Sequence, residues 1–213
     1  TDEGAANYMT SYGQGVGCET RMILGSFIND GETVLDVGCG PGINMDHFMQ
    51  FGPKVNYRGT DYSDRFVRVA NQRWSSGKLM FNGLAAAQST PHFFVGDCRK
   101  IEEADNSWDV VILQDVLEHT NGYEIPMAEA LRVAKKRVIV TFWRGQMMDD
   151  FENDTGVSSV RDDGNDGFCG EYSRIEWEKY LDGLDLHWVE TQCSPEANRW
   201  NRFYCIDKEM KHG

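Results

Sequence analysis

Apolar positions along the chain fall into short continuous runs that alternate with stretches of helical period. In Thr33-Val34-Leu35-Asp36-Val37 the apolar run has the form of a strand covered on both faces. It leads into Gly38-Cys39-Gly40-Pro41-Gly42. Residues 43–51 follow, where Ile43, Met45, Phe48 and Met49 recur at roughly helical spacing until Gly52-Pro53 stops the helix. The same reading predicts strands at 55–60, 92–98, 108–113, 137–142, 184–192 and 200–207. Helices are expected at 18–29 (Met22, Ile23, Ser26 and Phe27 on one face), 64–75 (Phe66, Val67, Ala70 and Trp74 inward) and 125–135 (Ile125, Met127 and Leu131 inward). A further helix opens at the capping box Ser173-Arg174-Ile175-Glu176 and ends at Gly183. Strands interleaved with helices predict an α/β domain. Residues 77–91 are loosely patterned, with one helical turn at 84–88 and no assigned role.

A strand, a glycine loop and a helix in this order form a nucleotide-binding unit. A dinucleotide fingerprint needs glycine at its first, third and sixth positions, and counting from Gly38 the sixth is Ile43. Pro41 removes an amide donor from a loop that would have to cradle a pyrophosphate. No Gly-Lys-Ser/Thr follows, so a P-loop is excluded. What remains is a glycine loop opened by the carboxylate of Asp36, better suited to a cation than to a polyphosphate. S-adenosylmethionine, a sulfonium with an ammonium group and no phosphate, meets that description.

The segment Asp36-Val37-Gly38-Cys39-Gly40-Pro41-Gly42 resembles the first motif of class I S-adenosylmethionine-dependent methyltransferases. The resemblance extends from about residue 18 to 208. It implies a doubly wound, mostly parallel seven-stranded sheet whose last strand runs antiparallel between its neighbours, in one domain spanning 1–213. It also implies cofactor contacts at Asp36, Gly38, Cys39, Gly40 and Gly42. Asp61, with Tyr62 beside it, stands at the carboxyl end of the second strand, about twenty residues past the loop, where ribose hydroxyls are bound. The rival reading is that Asp61 or Ser63 caps the next helix. Asp97 and the amide of Cys98 match the family's adenine contacts, or Asp97 caps a short helix at 100–104. Gln114 completes the cofactor set. Lys135-Lys136 stands where the family often has a proline-glycine turn, which changes the turn but not the topology.

Asp115-Val116-Leu117-Glu118-His119 resembles the post-strand motif of a subgroup that methylates small molecules, including quinone-precursor O-methyltransferases. Nothing resembles the Asn/Asp-Pro-Pro-aromatic motif of nucleobase methylators. The resemblance thus implies methyl transfer to oxygen or nitrogen of a small metabolite. His119, whose unperturbed pKa lies near operating pH, is the candidate general base. Against this stands a structural histidine tied to a backbone carbonyl, with Glu118 solvated. Residues 1–17 are either a loose end or a cap that lays Tyr8 or Tyr12 over the cofactor. Residues 143–172 form a substrate-side lid, with 157–160 and 168–172 pairing as a hairpin. Tyr12, Asp115, His119, Trp143, Arg144, Phe168 and Tyr172 are the candidate acceptor contacts.

Composition narrows the partners. With 34 acidic and 21 basic residues among 213, the formal net charge is −13, which disfavours a nucleic-acid acceptor. Six scattered cysteines without Cys-x-x-Cys or Cys/His spacing imply neither zinc nor disulfides, and so a cytoplasmic, reducing location. No apolar run approaches the length of a membrane span, and no signal peptide is recognisable. Asp162-Asp163-Gly164-Asn165-Asp166-Gly167 fails the calcium-loop pattern, because glycine occupies a ligand position and no glutamate closes it, so no metal is expected. Two other classes remain in view. A nicotinamide-dependent oxidoreductase is opposed by Ile43 and Pro41, and a catalytically silent cofactor- or partner-binding domain would keep every motif.

Overall fold

A computed structural model describes residues 18–75, 92–143, 147–148, 157–160, 170–194 and 201–209. Strand β1 (Thr33–Val37) lies inside the main sheet, parallel to β2 (Asn56–Asp61) on one side and β4 (Trp108–Gln114) on the other. Strands β3 (His92–Val95) and β5 (Ala134–Trp143) extend it in parallel, to β2 and β4 respectively. Strand β10 (Asn201–Asp207) is inserted antiparallel between β5 and β9 (His187–Gln192). The order is β3-β2-β1-β4-β5-β10-β9, the seven-stranded arrangement expected.

Alternation along the strands explains why their apolar runs are continuous. Val110 and Ile112 of β4 face one layer and Val111 and Leu113 the other, and all four are fully buried. The first layer is covered by α1 (Glu19–Ser26), α2 (Ile43–Gln50) and α3 (Asp64–Ser75) through Leu24, Met45, Phe48, Val67 and Ala70. The second is covered by α4 (Glu124–Val133) and α5 (Arg174–Asp182) through Met127, Ala130, Val133, Trp177 and Leu181. Ser173 Oγ accepts from Glu176 N at 3.4 Å, so α5 starts at its predicted cap. A second sheet, β6-β8-β7, consists of β6 (Met147–Met148), β7 (Val157–Val160) and β8 (Gly170–Ser173). Its antiparallel β7–β8 pair is the expected hairpin, and β6 is an addition.

Several local expectations are corrected. In α1 the buried face is Thr20, Arg21 and Leu24, while Met22 is exposed, because that face meets polar groups at the carboxyl edge of the sheet. In α4, Pro126, Met127, Ala130 and Val133 turn inward and Ile125 stays exposed. Strand β5 starts at Ala134, taking Lys135-Lys136 into extended backbone. There Lys136 pairs with buried Glu32 at 3.2 Å and with Asp109 at 3.1 Å, and Arg137 pairs with Glu32 at 2.9 Å. Residues 100–104 form no helix, since Asp97 and Lys100 make an isolated bridge instead.

Candidate functional site

The carboxyl edge of the sheet gathers the candidate residues at the ends of five strands, β1 to β5. At the end of β1, Gly38, Gly40 and Gly42 all have positive φ (79°, 54° and 83°). The loop is fastened from β2: Thr60 O accepts from Gly38 N at 2.7 Å and Cys39 N at 3.0 Å, and Asp61 Oδ2 accepts from Gly40 N at 2.8 Å. From α3, Arg73 donates to Pro41 O at 2.6 Å and pairs with buried Asp46. The loop is therefore set before any ligand arrives.

Asp36 is fully buried, its Oδ2 accepting from Tyr57 Oη at 2.6 Å and Asn44 Nδ2 at 3.0 Å. Burial pushes its carboxyl up to about 6; those two donors and the charge of Arg21 act downward, and neighbouring Asp61 adds to the rise. Asp36 Oδ1, like Gln114 Oε1 at the end of β4, is buried and accepts no hydrogen bond among the described residues. Such acceptors fit a ligand that brings N–H or O–H donors and positive charge, as a sulfonium nucleoside with an amino-acid arm does. Tyr57, Asn44 and the buried Arg21 were not among the sequence candidates. Tyr57 reads as an ordinary strand aromatic and Asn44 as an ordinary first-turn residue.

At the end of β2, Asp61 Oδ1 accepts from Ser63 N at 2.8 Å, while Ser63 Oγ accepts from Phe66 N at 3.4 Å. Ser63 thus caps α3, and Asp61 ties the glycine loop to the β2 turn. Burial raises the Asp61 carboxyl, while the amides of Ser63 and Gly40 and, more weakly, the charge of His119 pull it down. Tyr62 beside it is exposed. At the end of β3, Asp97 is chelated by Arg99, through the guanidinium at 2.7 Å and the backbone N at 2.9 Å, which holds its carboxyl below the usual range. A base amine at Asp97 would share the carboxylate with Arg99. Burial pushes the adjacent Cys98 thiol up to about 11.

After β4 the chain makes a tight turn. Asp115 has left-handed backbone (φ 53°), and its Oδ1 accepts from Asn201 Nδ2 at 2.6 Å and Thr141 Oγ1 at 2.9 Å. Thr20 Oγ1 of α1 donates to Asn201 Oδ1 at 3.4 Å, so α1, β10, β5 and the turn share one chain of polar contacts. The 3₁₀ turn Leu117–His119 follows. Glu118 is fully buried and accepts from Trp143 N at 3.0 Å, whereas His119 is exposed. Glu118 is therefore not the solvated member that the rival reading expects. Tyr172 is buried, with its single hydroxyl proton shared between Thr120 O at 2.7 Å and Leu117 O at 3.0 Å. Trp143, at the end of β5, is half exposed. Tyr12, Arg144 and Phe168 lie outside the described residues. Among the described residues no group of three or more His, Cys, Asp or Glu could hold a metal, and no helix is long and apolar enough to cross a membrane.

Comparison with known proteins agrees with this geometry. A family model described as a methyltransferase domain matches residues 35–142, just over half of the 213-residue chain. The sterol 24-C-methyltransferase erg6 of Aspergillus fumigatus is 29% identical over 130 residues, 60% of this chain and 31% of that protein. The ribosomal RNA large subunit methyltransferase G of Shewanella woodyi is 35% identical over 69 residues, 32% of this chain and 16% of that protein. The chain spans less than half the length of the curated relatives it matches. Among solved structures, the magnesium protoporphyrin IX methyltransferase of Synechocystis PCC 6803 with bound SAM superposes with a TM-score of 0.61 at 19% identity. The match covers 89% of this chain and 78% of that one, and shares its fold. The family match runs from inside β1 to the end of β5, across the strands whose carboxyl ends carry the glycine loop, Asp61, Asp97 and the His119 turn: the chain belongs to the methyltransferase-domain family.

Proposed function

We propose that the chain is an S-adenosylmethionine-dependent methyltransferase acting on oxygen or nitrogen of a small molecule, with His119 as general base. The observation that carries this reading is the turn after β4, where Leu117, Glu118 and Thr120 are buried and His119 is exposed beyond the carboxyl end of the strand. Family membership supports the reaction class, and the SAM-bound Synechocystis relative supports the cofactor.

When bound, the cofactor supplies a methyl group activated by its sulfonium. Asp36, Gly38, Cys39, Gly40, Gly42 and Gln114 would hold its amino-acid end. Asp61 with Tyr62 would take the ribose, and Asp97 and Cys98 the base. The acceptor would lie beside the turn, near Asp115 and Trp143. Positioning it for in-line attack lowers the barrier by several kcal/mol, and His119 takes the proton that an O–H or N–H acceptor loses, worth roughly a hundred-fold or more. An acidic chain favours a neutral or cationic acceptor. The ribosomal RNA relative favours an RNA acceptor, which the −13 charge opposes.

The test is incubation of the full chain with S-adenosylmethionine and catechol, phenethylamine, benzoate or total RNA, with S-adenosylhomocysteine as readout. Release above the acceptor-free control with a small molecule is expected. Release with RNA alone would overturn the acceptor class. Calorimetric binding of the cofactor without turnover in any arm would identify a silent domain. Binding of NADH instead would move the chain to nicotinamide chemistry.

A further inference from the structure

The turn that presents His119 is too short to hold its own shape. It is a 3₁₀ segment of three residues, Leu117–His119, and such segments have poor internal hydrogen-bond geometry. Its backbone bonds are few: His119 N to Val116 O at 2.9 Å and Thr120 N to Leu117 O at 3.1 Å. Glu118 ties the turn to the main sheet by accepting from Trp143 N at 3.0 Å, the Thr120 hydroxyl bonds Leu117 O at 2.8 Å, and a third tie comes from outside that sheet. Tyr172 stands on β8, central in the β6-β8-β7 sheet, and the single proton of its hydroxyl is shared between Thr120 O at 2.7 Å and Leu117 O at 3.0 Å, the carbonyls that bracket His119. The ring itself is held, its centroid 5.3 Å from that of Tyr123 and 6.2 Å from that of Phe142. Burial pushes the phenol's pKa up, so the group stays a donor throughout the range in which an imidazole works.

We infer that Tyr172 is the positioning residue for His119, through which the β6-β8-β7 sheet sets the direction of the imidazole. The inference rests on His119 being the base, and it changes the place of Tyr172 from an acceptor contact to a support beneath the catalytic turn. Its consequence is that any rearrangement of the β6-β8-β7 sheet around an acceptor reaches His119 directly, since Tyr172 belongs to both.

Tyr172→Phe removes the donor and keeps the ring. The first readout needs no ligand: the His119 ring proton signal of the full chain, assigned by its absence in His119→Ala. In Tyr172→Phe that signal should move or broaden, while those of His47, His92, His187 and His212 stay in place. An unmoved His119 signal overturns the inference. The second readout is turnover with whichever of catechol, phenethylamine or benzoate gives S-adenosylhomocysteine. Tyr172→Phe should lower kcat about tenfold with the KM for S-adenosylmethionine little changed, as misplacement of a catalytic group does. In the His119→Ala background the same change should have no further effect. An equal fold-loss in both backgrounds overturns the inference and leaves His119 as base. Parental turnover of His119→Ala overturns the reading beneath it. Should Tyr172→Phe not fold, Thr120→Val removes the hydroxyl that bonds Leu117 O and Gly122 O of the same turn, and must show the same signal change and the same non-additivity.

Discussion

Gly38 and Val116 are packed against each other so closely that a Cβ on Gly38 would lie 2.3 Å from Val116 Cγ2. One residue belongs to the glycine loop and the other to the turn that carries His119, so the two halves of the site are seated on one another. Gly38→Ala should therefore cost stability twice: through a φ of 79°, which non-glycine residues adopt at about 1–3 kcal/mol, and through the clash. Adding Val116→Ala should recover the second part and leave the first. Urea denaturation of the single and double variants measures both, and a Gly38→Ala chain as stable as the parent would show that the contact is not as described.

Asp36 makes the unliganded fold weaker at neutral pH. Its carboxyl rises from 3.8 to about 6 on folding, chiefly through burial, so between those values the folded chain holds a proton that the unfolded chain has released. Stability is then full below about 4 and falls as pH rises through about 6, by a few kcal/mol at most. Asp36→Asn should raise the urea midpoint at pH 7.5, with the gain vanishing near pH 4. The same variant should bind S-adenosylmethionine at least about tenfold more weakly, since it withdraws an anion from a cation site. In the parent chain, cofactor affinity should weaken as pH falls below about 6. Equal effects of Asp36→Asn on stability at both pH values would contradict this account.

The Asn201–Asp115 bond at 2.6 Å holds a carboxylate beside left-handed backbone. Asn201→Ala should cost about 1–3 kcal/mol, the usual consequence of withdrawing a buried donor from a charged acceptor. Because Asn201 also meets Thr20 of α1, the loss should appear in amide exchange of α1 as well as of the turn. Protection lost only near residue 115 would mean that the chain of polar contacts does not connect them.

The sheet was legible because its information is local. Apolar runs such as Val110–Leu113 mark doubly covered strands, and the glycines at 38, 40 and 42 mark a loop that only they can form. Helix α3 was placed to the residue by its apolar spacing and its Ser63 cap. What could not be read depends on partners far away in the chain. Thr20 turns inward because Asn201 waits there, and Arg21 is buried beside it, whereas periodicity alone favours Met22 and Ile23. Glu118 is buried because the end of β5 offers it Trp143 N, and nothing in the segment around 118 announces that donor. Tyr57 and Asn44 belong to the site through one oxygen of Asp36.

His119 decides between a positioned base and a surface histidine. It is exposed while its neighbours Leu117 and Glu118 are fully buried, so its removal should leave the fold intact, with an unchanged urea midpoint. If it accepts the acceptor's proton, His119→Ala lowers kcat by about a hundred-fold or more while the KM for S-adenosylmethionine barely moves, and added imidazole restores part of the rate. Because the charge of His119 draws down the Asp61 carboxyl, the variant should also let that carboxyl rise further. A modest loss of cofactor affinity should then appear at acid pH and be absent above neutrality. Near-parental turnover with no response to imidazole would remove His119 from the chemistry. The remaining reaction would then need only orientation, as transfer to an already neutral amine does.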